Sequence, residues 1–343
     1  MSKAKKVLVT GGAGFIGSHV AEELIGLDKK VIILDNLSGG SIKNVPLKAE
    51  FIKGSILDTK LLDKIFLENK ISHIYHLAAY AAEGLSHFIK KFNYENNLIG
   101  SVNLINRAIN FEISSFVFTS SIAVYGDLKP PFKETMRPKP ADSYGIAKLA
   151  VEKELSISKE MFDLNYVIFR PHNVYGERQN IADKYRNVIG IFMNQAMKGE
   201  PLTIFGNGQQ TRAFTYIKDI SLAIVEAGLK KSCFNQIFNI GSDTVSSINQ
   251  VAALVSASLG QPQPTIKYLP ARKESKNAFS NHEKIKKYLG IYLKNTNLEE
   301  GIKKMALWAK KTGPQKTQKF DKIEIRKNLL PSWRENFKKR ENK

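Results

Sequence analysis

The 343-residue sequence contains one cysteine and no long hydrophobic run. Cys233 alone cannot form a disulfide within the chain, which excludes a disulfide-stapled secreted domain and fits a reducing compartment. No apolar stretch approaches the roughly 18 to 20 residues that a membrane-spanning helix needs. The early run KVLVTGG is too short and too rich in glycine for the hydrophobic region of a signal peptide. We therefore expect a cytoplasmic protein that is not embedded in a membrane.

The sequence also lacks internal repeats, low-complexity segments and the residue spacings of metal sites. His73 and His76 lie in one predicted strand without a convincing set of partner ligands, so we predict no metal site. The hydrophobic content of 43% over this length is enough for one large or two modest domains with sizeable cores.

Negative charge is scarce relative to positive charge, and the formal net charge is +20. Residues 301–343 hold fourteen Lys or Arg and four Asp or Glu, so this eighth of the chain carries half of the net charge. Such a tail can bind nucleic acid or acidic lipid, although a solvated lysine-rich surface is the more common explanation. Apolar residues recur from Phe320 to Trp333 and indicate a segment that packs on the body up to about Trp333. We do not expect a nucleic-acid partner.

Short β-rich runs alternate with helical patterns along the first part of the chain. The runs are KVLVT, VIILD, FIKG, HIYHLA, FVFTS, YVIFR and IFNIG, and the helical patterns include 58–69, 88–110 and 143–162. This alternation is typical of an α/β fold with a doubly wound parallel sheet of Rossmann type. After about residue 173 the regularity falls, which predicts a smaller α/β domain. We divide the chain into a first domain (1–173, with a return segment at about 214–244), a second domain (174–213 and 245–313) and a basic tail (314–343).

The first predicted strand leads into the glycine-rich segment TGGAGFIGSHV. The spacing of Gly11, Gly14 and Gly17 permits a tight turn and lets a pyrophosphate approach a helix N-terminus. Asp35 ends the second strand 18 residues beyond Gly17, where a carboxylate can accept both hydroxyls of an adenosine ribose and would repel a 2′-phosphate. The pattern therefore predicts NAD rather than NADP, with a simple turn residue at Asp35 as the alternative.

The segment SYGIAK places Tyr144 four residues before Lys148. With 12 tyrosines in a lysine-rich chain, about one such match is expected by chance, and Tyr125 with Lys129 is a second. That second pair lies in VYGDLKPP, where a turn is predicted. Tyr144 and Lys148 instead follow the capping residue Asp142 and precede helix formers, so their side chains are predicted to share one helix face.

Several segments together resemble the extended short-chain dehydrogenase/reductase family, and within it the nucleotide-sugar 4-epimerases. They are the glycine fingerprint, DNLS, HLAA, NLIGS, FTSSIAVYG, SYGIAK and RPHNVYG, and the resemblance runs from residue 5 to about 311. It implies a first domain that binds NAD, a second that binds a nucleotide sugar, and a homodimer formed by the helices near 92–110 and 144–161. The segments at 79–86 and 273–275 depart from the family pattern, which leaves the identity of the hexose open.

The resemblance also implies roles for individual residues. Tyr144 would take the proton from the 4-hydroxyl of the sugar, Ser121 would hydrogen-bond the same oxygen, and Lys148 would supply positive charge and bind the nicotinamide ribose. The implied NAD contacts are Gly11, Gly14, Phe15, Ile16, Gly17, Asp35, Asn36, Asp58, Leu77, Ala78, Ala79, Asn97, Ser120, Tyr144 and Lys148. The implied substrate contacts are Ser121, Tyr144, Asn173, Arg212, Arg272 and Phe279. Taken singly, the serines are also explained as strand-ending residues and Tyr144 as an aromatic at a helix end.

These roles predict an isomerase that inverts C4 of a UDP-sugar, with UDP-glucose and UDP-galactose as the first choice. The C4 hydride leaves for tightly bound NAD, and it returns to the other face of the resulting 4-keto sugar, so that NAD is not consumed. Ile122 and Ala123 stand where sister dehydratases and decarboxylases carry acidic residues, and neither can transfer protons. The alternatives are an NAD(P)-dependent sugar reductase or dehydrogenase, an epimerase of a UDP-N-acetylhexosamine or UDP-uronic acid, and a catalytically silent relative that binds nucleic acid.

Phe279, seven residues after Arg272, leads to an expectation about substrate size. In related epimerases the residue at this spacing lines the pocket opposite the C2 substituent, and a bulky side chain tends to exclude an N-acetyl group. The resemblance therefore implies a preference for UDP-glucose and UDP-galactose. A shift of register at 273–275 would instead make Phe279 an ordinary core residue.

Overall fold

The computed structural model describes residues 5–271, 276–318 and 320–334, which alternate between strands and helices. The strands are β1 (Lys6–Thr10), β2 (Lys30–Asp35), β3 (Glu50–Lys53), β4 (Ile71–His76), β5 (Ser115–Thr119), β6 (Tyr166–Pro171), β7 (Val174–Tyr175), β8 (Leu202–Phe205), β9 (Thr211–Ala213), β10 (Thr215–Tyr216), β11 (Gln236–Ile240), β12 (Val245–Ser247), β13 (Ile266–Leu269) and β14 (Asn277–Ala278). The α-helices are α1 (Phe15–Gly26), α2 (Thr59–Glu68), α3 (Glu83–Ser86), α4 (Lys90–Tyr94), α5 (Gly100–Asn110), α6 (Ser143–Phe162), α7 (Val188–Met197), α8 (Ser221–Leu229), α9 (Ile248–Ser258), α10 (Glu283–Leu289), α11 (Leu298–Thr312) and α12 (Pro331–Arg334).

Seven of these strands form one parallel sheet in the order β11-β6-β5-β4-β1-β2-β3. The chain builds outward from β1 through β2 and β3, and then crosses to β4 and builds outward in the other direction. The order therefore reverses between β1 and β4, and in such sheets the carboxyl ends of the strands at this point form the ligand crevice. The doubly wound Rossmann sheet predicted from the sequence is confirmed.

Helices cover both faces of this sheet because the strand residues alternate between two apolar cores. Val7 and Val9 of β1 pack in the same core as Leu24 of α1. Leu8, between them, packs in the opposite core with residues of α2, α5 and α6. Strands that are apolar on both faces need such helical layers on each side, and this fixes the three-layer arrangement.

The second half of the chain adds three small sheets beside the central one. They have the orders β10-β7, β12-β9-β14 and β13-β8, and α7, α9 and α11 pack against one another beside them. The late strand β11 does not belong to these sheets but pairs with β6 at the edge of the central sheet. The segments on either side of β11 are thus held close to the carboxyl ends of the central strands.

Residues 90–110 form one continuous helix, in which a π-helical turn (Glu95–Ile99) joins α4 to α5. The neighbouring α6 begins where the Asp142 carboxylate accepts the backbone N–H of Gly145, at 2.8 Å. It ends at Asp163, which takes a left-handed conformation. Both helices lie within the ranges that the sequence predicts. Over the described residues, no helix is both long enough and apolar enough to cross a membrane.

Candidate active site

A long cavity of about 590 Å³ runs along the carboxyl ends of the central strands. Its walls include the turn after β1, the ends of β2 and β5, and the loops after β3, β4 and β6. Residues from the second half of the chain, among them Arg186 and Arg212, close the opposite side. The cavity therefore lies at the reversal of strand order, where the fold places ligands.

The glycine-rich turn forms one end of the cavity and leaves no room for side chains. Gly11 has a φ of +72°, and a Cβ there would lie 2.6 Å from the backbone nitrogen of Ala78. A Cβ on Gly17 would lie 2.2 Å from the carbonyl oxygen of Gly11. Gly14, Phe15 and Ile16 also line the cavity at the start of α1. Free N–H groups at a helix N-terminus attract a phosphate group, so the turn fits the pyrophosphate of a dinucleotide.

Asp35 lies beside this turn at the end of β2. Its carboxylate accepts the backbone N–H groups of Ala13, at 3.0 Å, and Leu37, at 2.7 Å. Burial raises the pKa of Asp35 above its ordinary value, and these hydrogen bonds oppose the rise. Asp35 and Asn36 line the cavity, so the carboxylate is placed to accept hydroxyls of an adenosine ribose. Leu77, Ala78 and Ala79 line the next part of the wall.

Tyr144 and Lys148 lie one helical turn apart on α6 and meet Ser121 at the middle of the cavity. The hydroxyl of Ser121 lies close enough to the phenol of Tyr144 to lower its pKa. The Lys148 ammonium donates to the carbonyl oxygen of Thr119, at 2.8 Å, and lies 5.7 Å from the centre of the Tyr144 ring. The residues that the sequence assigned to catalysis are thus adjacent in space.

Burial controls the protonation of this group. It raises the pKa of Tyr144 well above its ordinary value, and the hydroxyl of Ser121 opposes the rise. It lowers the pKa of Lys148 to about 7, and the negative charge of Glu152 opposes the fall. A tyrosine in this setting needs nearby positive charge to act as a base at neutral pH, and Lys148 is the cation that the same helix supplies.

A buried ion pair behind Ser120 was missed in the sequence. Ser120 donates to Glu152, at 2.5 Å, and Glu152 pairs with Arg170 of β6, also at 2.5 Å. Arg170 donates in turn to the hydroxyl of Tyr125, which donates to Asn239. The chain of bonds joins β5, α6, β6 and β11 behind the cavity wall. The spacing in the sequence could have pointed to Glu152, since it follows Lys148 by four residues and so lies on the same helix face.

Two predicted NAD contacts lie elsewhere in the described structure. Asp58 does not line the cavity, because it caps α2 by accepting the N–H of Leu61 at 3.0 Å, while Ser55 and Ile56 form the wall. Asn97 is buried behind the wall, and its amide group accepts the N–H of Tyr80 at 2.9 Å and donates to the Tyr80 carbonyl at 3.1 Å. Asp58 is a helix cap and Asn97 holds the loop after β4, and their assignment as NAD contacts stays a prediction.

Of the predicted substrate contacts, Asn173 and Arg212 line the cavity. Asn173 has a φ of +40° and donates to the carbonyl oxygen of Ala213, at 3.1 Å. Arg212 donates to the carbonyl oxygens of Thr211 and Lys276. Arg272 lies outside the described residues.

The structure places Phe279 outside the cavity wall. Ala278, at the end of β14, lines the cavity, whereas Phe279 is half-buried and is not part of the cavity wall. Successive residues of an extended segment point to opposite sides, so the residue that follows a cavity-facing alanine points away from the cavity. The role of Phe279 in substrate size stays a prediction, since residues 272–275, which set its register, lie outside the described residues.

Two charged residues at the cavity were also missed. Arg186 lies over the ring of Tyr80, at 4.9 Å from its centre, and pairs with Asp183 at 2.7 Å. Glu83 begins α3 in the segment that departs from the family pattern. Both line the cavity, and their charges affect the pKa of Tyr144 in opposite directions, Arg186 lowering it and Glu83 raising it.

His172 completes the wall beside Asn173. Its ring stacks on His282, with ring centres 5.1 Å apart, and burial lowers the pKa of His172 to about 3. It is therefore a neutral imidazole. Over the described ranges, no group of three or more His, Cys, Asp or Glu residues has the arrangement of a metal site.

Comparisons with known proteins agree with this geometry. The sequence model of the NAD dependent epimerase/dehydratase family matches residues 7–241. A UDP-glucose 4-epimerase of Halalkalibacterium halodurans is 31% identical over 323 residues, covering 89% of this chain and 95% of that protein. A crystal structure of UDP-glucose 4-epimerase with UDP-glucose from Thermotoga maritima has a TM-score of 0.85 at 34% identity, over 90% of this chain and 99% of the other.

A third relative differs in its substrate. The crystal structure of UDP-glucuronic acid 4-epimerase from Bacillus cereus, in complex with UDP-glucuronic acid and NAD, has a TM-score of 0.80 at 29% identity, over 90% of this chain and 100% of the other. The family match runs from β1, ahead of the glycine turn, to the end of β11 and so spans the whole central sheet. With its glycine turn, Asp35 and the Tyr144–Lys148 pair on one cavity, the chain belongs to the NAD-dependent epimerase/dehydratase family, and its cofactor is NAD.

Proposed function

We propose that the protein is an isomerase that inverts C4 of a UDP-sugar, with UDP-glucose and UDP-galactose as the first substrates to test. The observation that supports this most directly is the meeting of Tyr144, Lys148 and Ser121 on the cavity that begins at the glycine turn. The glycine turn and Asp35 would hold NAD, which would supply reversible uptake of the C4 hydride and so would not be consumed.

Each of the three residues has a task in this proposal. Tyr144 accepts the proton of the 4-hydroxyl as the hydride leaves and gives it back as the hydride returns. Ser121 donates to the same sugar oxygen and holds it near the phenol. Lys148 holds positive charge close to Tyr144, which favours the phenolate against the effect of burial. Glu152 and Arg170 fix the strand end that carries Ser120, and so keep this wall in place.

The wall beside Ser121 favours epimerisation over elimination. Ile122 and Ala123 line the cavity directly after Ser121 and cannot exchange protons. A dehydratase needs an acid and a base in addition to the tyrosine, in order to remove water across C5 and C6. Glu83 is the acidic residue to test for that role, since it lines the cavity and its charge raises the pKa of Tyr144.

The decisive experiment is a substrate panel. The purified protein is incubated with UDP-glucose, UDP-galactose, their N-acetyl counterparts and UDP-glucuronic acid, and the products are separated by chromatography. The C4 epimer should accumulate to an equilibrium mixture without added NAD, and Tyr144→Phe serves as the inactive control. A 4-keto-6-deoxy product would establish a dehydratase instead, and net formation of NADH would establish a dehydrogenase.

A second candidate substrate, a UDP-uronic acid, is favoured by Arg186. A guanidinium group that lines the cavity can bind a carboxylate bidentately, although Asp183 already neutralises part of its charge. If the sugar is a uronate, Arg186→Leu should lower kcat/KM for UDP-glucuronic acid about tenfold or more and change that for UDP-glucose little. Equal losses on both sugars would show that Arg186 does not recognise a carboxylate.

A further inference from the structure

The segment after α11, residues 313–318 and 320–334, crosses the outside of the cavity wall, and we name it the C-terminal strap. It begins on the second half of the chain, where the amide group of Asn194 bonds the backbone of Gln315 in both directions, at 2.8 and 3.0 Å. The N–H of Gln318 then donates to the carbonyl of Ala182, at 2.8 Å. The strap next passes to the first half of the chain, and it ends with Leu329 and Trp333 buried.

On the first half, Glu324 caps the helix formed by residues 90–110. Its two carboxylate oxygens accept the backbone N–H groups of Lys91 and Phe92, each at 2.8 Å. The N–H groups of Glu324 and Ile325 donate to the carbonyl of Phe88. A carboxylate at a helix N-terminus interacts favourably with the unpaired N–H groups and with the helix dipole. Glu324 therefore fixes the start of this helix.

The same helix carries Asn97, whose amide group forms two hydrogen bonds with the backbone of Tyr80. The strap also contacts this loop directly, because the ring of Phe320 lies 5.2 Å from that of Tyr80 and 5.0 Å from that of Phe92. Tyr80 and Phe92 line the cavity. The strap thus supports the wall that follows β4 both through the helix and through ring contacts.

The opposite wall is supported as well. Trp333 packs against Tyr185, with ring centres 5.3 Å apart, and the hydroxyl of Tyr185 accepts the N–H of Phe320 at 3.4 Å. Tyr185 and its neighbour Arg186 line the cavity, and Arg186 lies over Tyr80. The two walls therefore meet at Tyr80 and Arg186, and the strap holds the outer side of each.

We propose that the C-terminal strap is a positioning element that sets the spacing of the two cavity walls where Tyr80 meets Arg186. It lies beyond the family resemblance, which ends near residue 311. The glycine turn and Asp35 lie outside its contacts. Loss of the strap should therefore weaken binding of the nucleotide sugar, with little effect on NAD. The kinetic part of this inference rests on the proposed function.

The test is a graded series at Glu324. Glu324→Gln keeps one good acceptor for the two N–H groups, and Glu324→Ala keeps none. We expect KM for the UDP-sugar to rise in that order, reaching about fivefold to tenfold in Glu324→Ala, with kcat and NAD content nearly unchanged. Asn297→Ala is the matched control, because it also removes a helix-capping side chain but lies at the start of α11, away from the cavity wall. A KM equal to that of the parent in Glu324→Ala would overturn the proposal.

A second measurement does not depend on any substrate. Hydrogen exchange in Glu324→Ala should become faster in residues 79–94 and 183–187, whereas in Asn297→Ala it should change only around the start of α11. Trp333 supplies a third signal, since the chain has 2 tryptophans and the variant Trp308→Phe leaves Trp333 alone. Its emission should shift to longer wavelength when Glu324 is replaced. Unchanged hydrogen exchange at residues 79–87 would overturn the positioning role of the strap. A parent protein that turns over no UDP-sugar would overturn the proposed function alone.

Discussion

Lys148 is the residue whose charge is most costly to bury in the site. It is 2% exposed, and its ammonium group lies between the carbonyl of Thr119 and the ring of Phe118, whose centre is 4.6 Å away. A carbonyl and an aromatic face offset only part of the hydration that a lysine loses. The charge that the proposed reaction uses is therefore held at a cost in stability.

That cost predicts a pH dependence. Because burial lowers the pKa of Lys148 to about 7, the unfolded chain binds more protons than the folded chain between about pH 7 and pH 10.5. The free energy of unfolding should therefore rise with pH through this window. The loss of stability caused by the buried charge of Lys148 is largest below about pH 7. Lys148→Met should stabilise the NAD-free protein by roughly 3 kcal/mol at about pH 6, and the gain should shrink by about 2 kcal/mol at about pH 9.

Urea unfolding of the NAD-free parent and variant at both pH values measures this difference. Other titrating groups are common to the two proteins, and their effects largely cancel in the comparison. A stability difference that does not change with pH would mean that Lys148 does not titrate within the window.

Tyr144→Phe tests the proton transfer. The variant loses the phenol oxygen and keeps the ring that packs in the wall, so we expect its NAD content and its unfolding temperature to stay close to those of the parent. Turnover should fall by about a thousandfold, which is within the usual range for loss of a general base. A rate within tenfold of the parent, measured with NAD bound, would remove Tyr144 from the mechanism.

At the same scale, the sequence predicted residues in rigid motifs better than residues in loops. The glycine turn, Asp35 and the Tyr144 pair are defined by tight local geometry, and all of them line the cavity. Phe279 was assigned by counting from Arg272, and in an extended segment an offset of one residue reverses the side to which a side chain points. Asp58 carried a second signal, since aspartate is favoured at helix N-caps, and that role explains its position.

At the scale of elements, the helix of residues 90–110 joins the strap to the cavity wall. Its π-helical turn contains Asn96, which lines the cavity, and Asn97, which is buried behind it. Apolar periodicity predicted the extent of this helix, as it did for α6. It could not predict the π-helical turn, because one extra residue shifts the faces of a helix without changing its composition. The role of Asn97 therefore had to come from the structure.

Asn97→Asp should show how much the loop after β4 depends on this helix. The new carboxylate still accepts the N–H of Tyr80 but faces its carbonyl oxygen and Asn93 without a donor. We expect a loss of about 1 to 3 kcal/mol in the free energy of unfolding and a higher KM for the UDP-sugar. Asn69→Asp is the control, since its half-buried amide donates to the Ile65 carbonyl away from the cavity. If both variants lose the same free energy of unfolding and KM changes in neither, Asn97 does not hold the loop after β4 in the way proposed.

At the scale of the whole molecule, the parallel sheet was predictable from the sequence. The packing of the second half of the chain was harder to predict. Alternating strands and helices form a long-range pattern that remains recognisable even where a single element is misassigned. The second half has short strands and irregular loops, whose packing depends on contacts that no local pattern reveals. Our division of the chain into domains stays a prediction, because β11 and the strap both cross between the halves.

The last prediction concerns assembly. Ile146 and Ile157 lie 11 residues apart on α6, hence on one face, and they are 45% and 51% exposed; Ile99, on the adjacent helix, is 49% exposed. Such an apolar surface on two neighbouring helices is larger than scattered exposure requires, and a second copy of the same chain can cover it isologously. We predict a homodimer.

The double variant Ile146→Lys and Ile157→Lys should be a folded monomer in light scattering, because four lysines would face one another across the twofold axis. Leu307→Lys replaces a more exposed apolar residue, on α11, and should remain dimeric. A parent that is monomeric at assay concentrations, or a double variant that stays dimeric, would show that these helices do not form the interface.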